Sequence, residues 1–222
     1  MITVHHLQNS RSQRILWMLE ELRVDYTVKR YERDAETQLA PQELLDIHPL
    51  GKSPVIEDGD VRVAESGAII EYLAGRYGQG SMVPEEGTAA RREYIYWLHY
   101  AEGSLMTPLL LRLVFERIKT TKMPFFAKPI ARGIADKVMS SFVTPNIKRH
   151  MQFVDDHLAK NEWFAGNTLT GADVQMSFPL EAASARGVVG EQHANIHQYV
   201  QRVQARPAYI AALQKGGPYD YA

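Results

Sequence analysis

Gly51-Lys-Ser-Pro-Val-Ile-Glu-Asp-Gly-Asp-Val-Arg-Val-Ala-Glu-Ser-Gly-Ala-Ile-Ile70 is the stretch whose reading decides the fold. Ser53-Pro54-Val55-Ile56 begins a short apolar run. Asp58-Gly59 is a hairpin turn, because both central positions need a positive φ that Asp and Gly tolerate. Val61-Arg62-Val63 alternates as a half-buried strand does. Glu65-Ser66 then opens a helical pattern that keeps Ile69, Ile70 and Leu73 on one face.

A helix start of this kind is also chemistry. Its first turn carries unpaired N–H groups and the positive end of the peptide dipole, and Ser66 adds a hydroxyl, so a carboxylate is favoured there. Glu65 offers the opposite charge to an ammonium. The pair suits the head of an α-amino acid. Pro54 shapes the turn at the mouth of the strand. A cis Ser53-Pro54 bond would leave the backbone of Val55 facing outward to pair with a peptide.

Upstream, Ile2 to Leu7 reads as a strand, and a helix from Ser12 places Ile15, Leu16, Leu19 and Leu22 on one face. Tyr26 to Tyr31 is rich in β-branched and aromatic residues and reads as a second strand. Pro41 to Asp46 is a short helix. The order β-α-β-α-β-β-α, with strands one and two parallel by the right-handed crossover and an antiparallel hairpin after them, is a thioredoxin-like arrangement. Downstream, Gly78 to Gly87 is an aperiodic Gly- and Pro-containing linker. It divides the chain into an α/β unit over 1–79 and an all-helical unit over 88–222. One long helix is expected over Arg91–Lys119, bent near Pro108, and another over Phe142–Leu158. Thr170-Gly-Ala-Asp173 is a capping box, which gives Asp173 a structural role. An apolar run follows to Leu180, then a helix over Ile196–Val203 and a last one starting at Pro207.

The 222 residues carry a formal net charge of −1 with 45% hydrophobic content, which is an ordinary globular composition and no electrostatic footprint for nucleic acid. No apolar run approaches the roughly 18 residues that suggest a membrane span, and the N-terminus lacks a signal-peptide pattern. A cytoplasmic protein with no nucleic-acid or membrane partner is expected. The sequence has no Cys, so a protein thiolate is excluded as nucleophile or metal ligand. His193 and His197 stand four apart without a Glu between them, and no metal is expected.

Pro49-Leu-Gly-Lys-Ser-Pro-Val55 followed by Glu65-Ser-Gly-Ala-Ile69 resembles the glutathione-binding signature of the cytosolic glutathione transferases. The run Ser10-Arg11-Ser12-Gln-Arg14-Ile-Leu-Trp17 resembles a fungal and bacterial serine-type branch of that family. The resemblance implies a detoxifying transferase that takes glutathione as co-substrate, activates its thiol for attack on a small hydrophobic electrophile, and works as a homodimer. Hydroperoxide reduction is a further activity it would allow. A non-catalytic binding or regulatory relative is the alternative.

The resemblance assigns glutathione to Lys52, Ser53, Pro54, Val55, Glu65 and Ser66, with Glu102 reaching the partner subunit's γ-glutamyl ammonium. It places Tyr100, Met106 and Leu110 on the electrophile side. The thiol-activating group lies between strand one and helix one. Ser10 is the first candidate and Asn9 the second, because either can donate to sulfur; Ser12 reads as a helix cap. A thiol of pKa about 8.5 needs roughly 2.7 kcal/mol to fall by about two units, and one hydrogen bond to a charged acceptor supplies about 1.5–3 kcal/mol. The positive stretch from Arg112 to Arg149 reads as a solvated face or a basic lip that draws in anions.

Overall fold

A computed structural model describes residues 1–37 and 39–222. The N-terminal part runs β1 (Ile2–Leu7), α1 (Ser12–Glu21), β2 (Tyr26–Tyr31), α2 (Gln42–Ile47), β3 (Val55–Asp58), β4 (Val61–Ala64) and α3 (Ser66–Tyr77). The sheet order is β2-β1-β3-β4. β1 pairs parallel with β2 and antiparallel with β3, and β3 and β4 form the hairpin. The expected thioredoxin-like order is therefore the observed one.

The remainder is helical: α4 (Ala89–Tyr100), α5 (Met106–Thr120), α6 (Lys128–Val138), α7 (Thr144–Leu158), α8 (Gly171–Ala185), α9 (Ala194–Gln204) and α10 (Pro207–Gly216). The single helix expected over Arg91–Lys119 is two, joined by a wide π-turn at Ala101–Leu105. Pro108 has no N–H, and its ring collides with the carbonyl four residues back, so the widened turn absorbs the misfit. The same physics acts before Pro145, where a π-turn at Met139–Val143 joins α6 to α7. The expected helix over Phe142–Leu158 thus begins at Thr144, and α6 precedes it.

α8 is buried from Gly171 to Ala183. Its capping box is formed as the sequence indicates, with Thr170 N and Phe164 N both donating to the Asp173 carboxylate at 2.8 Å. A Cβ added to Gly171 would lie 2.5 Å from Ile70 Cγ2, so this glycine lets α3 approach α8. One hydrophobic cluster runs from Ile2 and Val4 of the sheet through α1 to α8 and α10. α1 is buried on nearly all sides, including the polar Ser12, Gln13 and Arg14, because the sheet covers one face and the helical unit the other.

Glu181 of α8 holds the C-terminal segment in place. Its carboxylate accepts from Tyr209, from Tyr219 at 3.1 Å and from Gln204 Nε2 at 3.4 Å. Burial pushes its pKa up to about 7, against the hydrogen bonds that favour the charged form. A carboxyl raised in the folded state contributes stability that is complete below its unfolded value and declines as pH rises through about 7. Glu181→Gln should therefore lose less thermal stability than the wild type between about pH 5 and pH 8, read as melting temperature against pH. Parallel curves would contradict the assignment.

Candidate functional site

A crevice of about 1080 Å³ lies between the sheet unit and the helices. One wall is made by the β1–α1 loop, the Ser53-Pro54 turn and the junction of β4 with α3. The other is made by α5, by Phe178 of α8 and by the tail residues Asp220 and Tyr221.

The junction of β4 and α3 has two features of a binding site. Glu65 stands at φ 73°, ψ 124°, a region that costs a non-glycine residue about 1–3 kcal/mol. Its carbonyl already accepts the first helical bond from Ile69 N, at 2.9 Å. Ser66 is buried, lines the crevice, and its Oγ has no hydrogen-bond partner among the described residues. A buried hydroxyl left alone is costly. Here it sits beside the free N–H groups of a helix start, a donor set suited to a carboxylate.

Ser53-Pro54 is cis, and both residues line the crevice together with Lys52. The expectation for Val55 is corrected. It lies between His5 of β1 and Ala64 of β4, fully buried, and does not line the crevice. A strand residue with a neighbour on each side has no open edge to offer a peptide.

The β1–α1 loop separates the two thiol-activating candidates. Asn9 has φ 51° and faces the crevice. Its Nδ2 donates to Asp220 Oδ2 at 2.7 Å, and its Oδ1 accepts from Asp220 N at 3.0 Å. Ser10, the first candidate, is buried behind the wall. Its Oγ lies 2.7 Å from Ser12 Oγ and 3.4 Å from Ser53 Oγ, and accepts from Ser12 N at 3.2 Å.

Ser12 Oγ is in turn 2.8 Å from His6 Nδ1. Burial, then Arg30, lowers the His6 pKa to about 4, against a hydrogen bond to the Gly216 carbonyl. His6 is thus neutral at neutral pH. The Ser10 hydroxyl, which donates to Ser53 Oγ and lies within hydrogen-bond reach of Ser12 Oγ, is thus engaged inside the wall. Ser12 is not a helix cap, since no side-chain cap forms at α1.

Glu102 also lines the crevice, but its carboxylate is used within its own chain. Arg11 Nε donates to both oxygens at 2.9 and 3.0 Å, and Arg14 Nη2 donates at 2.5 Å. Burial pushes the Glu102 pKa up, yet Arg14 and Arg11 outweigh it and hold the carboxyl below the ordinary range. Within one chain this makes a clamp from α1 to the π-turn.

Met106 and Leu110 line the crevice as expected, and Tyr100 does not. Tyr100 is buried among Tyr96, Trp97 and Phe153, with its hydroxyl on His150 Nδ1. The π-turn at Ala101–Leu105 separates it from Met106 and shifts the helical phase between them. Sequence reasoning missed Arg33, Arg186, Asp220 and Tyr221, which also reach the crevice. None has a local pattern; long-range folding brings them there.

Comparisons with known proteins agree with this architecture. The profile described as "Glutathione S-transferase, N-terminal domain" matches residues 1–75, and "Glutathione S-transferase, C-terminal domain" matches residues 121–207. Glutathione S-transferase 3 of Schizosaccharomyces pombe is 38% identical over 97% of this chain and 88% of its own. Glutathione S-transferase 1 of Saccharomyces cerevisiae is 34% identical over 96% and 94%. The crystal structure of a glutathione S-transferase from Actinobacillus pleuropneumoniae superposes with a TM-score of 0.82 at 34% identity, covering 100% of this chain and 95% of that one.

Glu102→Gln leaves Arg14, whose side chain is 1% exposed, as an uncompensated buried cation. A third of the Glu102 side chain is open to solvent, so the loss falls below that of a fully buried pair, at about 2–3 kcal/mol of unfolding free energy. The carboxyl has a depressed folded pKa, so its contribution is present at neutral pH and disappears as pH falls through that value. Urea titrations at pH 7 and at pH 3 should show the variant's deficit shrinking at the lower pH. An undiminished deficit would count against the ion pair as its cause.

Proposed function

Because the chain belongs to the glutathione S-transferase family, we propose that its crevice binds glutathione and uses the bound thiol to attack small electrophiles. The observation that carries this reading is Ser66. A buried hydroxyl without a partner, at a helix start beside an acidic residue in an unusual backbone conformation, fits the carboxylate and ammonium of a γ-glutamyl head. In this reading Lys52 and His48 on the same wall attract the glycyl carboxylate at the other end, and the Ser53-Pro54 turn borders the middle of the tripeptide. Residues 1–79 hold glutathione, and 88–222 supply the wall against which the electrophile rests.

Bound glutathione supplies the nucleophilic sulfur; the chain's task is to keep it ionised. Of the two candidates, Asn9 has the better placement. Its Nδ2 carries two N–H groups, and Asp220 uses one, leaving the other for sulfur. The Asp220 pair also fixes which end of the amide is nitrogen. Ser10 is then a positioning residue that holds the loop through Ser12 and His6. The start of α1, next to the loop, favours negative charge as well. Attack forms a carbon–sulfur bond while the leaving group departs, or, in an addition, while the product takes a proton from solvent. Met106, Leu109 and Leu110 supply an apolar surface opposite.

Calorimetry with glutathione tests binding, and thiolate absorbance in the complex tests activation. Ser66→Ala should weaken binding by roughly ten- to a hundredfold. Asn9→Ala should raise the bound thiol's pKa by about 1–2 units, with Ser10→Ala moving it less. The reverse order would give the thiol to Ser10. No binding at millimolar glutathione would remove the enzyme reading altogether.

A further inference from the structure

The glutathione-transferase reading accounts for one half of the crevice and leaves the charge of the other half unexplained. The crevice, at about 1080 Å³, sits at the top of the range of about 300–1,000 Å³ for small-molecule sites. It has room for a second molecule beside a tripeptide. On α5, Met106, Leu109, Leu110 and Leu113 follow the spacing of one helical face, and all four line the crevice. Beyond Leu113 the stripe continues into Glu116 and Arg117, and these line the crevice together with Arg112. An apolar stripe thus ends in two guanidinium groups with one carboxylate between them in the chain.

Neither the Arg112 nor the Arg117 guanidinium makes an ion pair or hydrogen bond among the described residues. The nearby Glu116 pairs with Lys119 at 3.3 Å. Across the mouth, Arg33 carries a guanidinium that burial pushes below its ordinary value, with the Tyr221 phenol opposing and Arg117 adding like-charge repulsion. Arg186, at the end of α8, lies on the same side and donates to the Tyr221 hydroxyl at 2.7 Å. Like charges gathered at the mouth of a partly desolvated crevice raise the local potential, and an anion between them lowers it. Guanidinium groups suit a carboxylate in particular, because their paired N–H groups match its two oxygens.

We propose that the second substrate of this crevice is an organic anion, an apolar electrophile that bears a carboxylate, with its body on the α5 stripe and its carboxylate held by Arg112 and Arg117. The proposal rests on the transferase reading for its chemistry but not for its binding. For an aryl halide of this class, the sulfur–carbon bond forms as the carbon–chlorine bond breaks. Chloride leaves with the bonding pair, and the thiol proton has already gone to solvent.

The test uses two matched pairs of probes with the full-length protein. 3,5-Dinitrobenzoate and its methyl ester measure binding without reaction. 4-Chloro-3,5-dinitrobenzoate and its methyl ester measure turnover with saturating glutathione, each rate divided by its uncatalysed rate. The wild type should bind the carboxylate at least about tenfold more tightly than the ester and show the same direction of preference in kcat/KM. Added salt should erode the preference. Arg112→Gln with Arg117→Gln should bring the carboxylate-to-ester ratio close to one, and Arg112→Lys with Arg117→Lys should retain part of it. Because each variant is read as a ratio of two probes, a general loss of fold or activity does not imitate the result. A wild-type ratio near one, or a ratio that survives the double Gln variant, overturns the inference. Failure of glutathione to bind overturns the transferase reading instead, and the dinitrobenzoate binding ratio then decides the anion site on its own.

Discussion

Arg14 is the pin on which the crevice depends. Its side chain is 1% exposed, and a cation that deep is tolerated only when its charge is met; Nε has no hydrogen-bond partner among the described residues, so the two Nη groups carry its contacts. Glu102 meets the charge from the π-turn between α4 and α5. The Gln175 carbonyl accepts from Nη1 at 2.6 Å. That carbonyl is available because Pro179, four residues on in α8, has no N–H to return to it. One proline in the helical unit thus creates the acceptor that an arginine in the sheet unit fills. Phe178 completes the arrangement, with Arg11 and Arg14 guanidinium carbons 5.2 and 5.7 Å from its ring centroid.

The site inherits its shape from that joint. With α1 held against α8 and the π-turn, the loop before α1 stands opposite α5, and the gap between them is the crevice. The tail closes one end. Glu181 anchors Tyr209 and Tyr219, and this delivers Asp220 to the Asn9 amide from more than two hundred residues away in the chain. A group proposed to donate to sulfur is therefore oriented by Asp220, and its chemistry is coupled to the packing of the helical unit.

The elements whose evidence is local were legible in the sequence. The hairpin follows from Asp58-Gly59, the start of α3 from Glu65-Ser66, and the capping box from Thr170 and Asp173. What escaped depends on tertiary geometry. The resemblance places Tyr100 and Leu110 together on the electrophile side, but only Leu110 lines the crevice, with the π-turn ahead of Pro108 between them. The two arginines of α1 that hold Glu102 are brought beside it only by the fold. The surroundings of Ser10 and Asn9 are likewise set by distant residues, Ser53 and Ser12 engaging the one and Asp220 the other. The tail Pro218-Tyr-Asp-Tyr-Ala222 has no periodicity at all, and only its contacts reveal its place.

The most direct measurement is a crystal structure with glutathione bound. The account predicts the γ-glutamyl carboxylate within hydrogen-bond reach of Ser66 Oγ at the start of α3, its ammonium beside Glu65, and the sulfur against the Asn9 amide while Asp220 keeps the other N–H. A tripeptide seated elsewhere in the crevice, with Ser66 Oγ still without a partner, would contradict it.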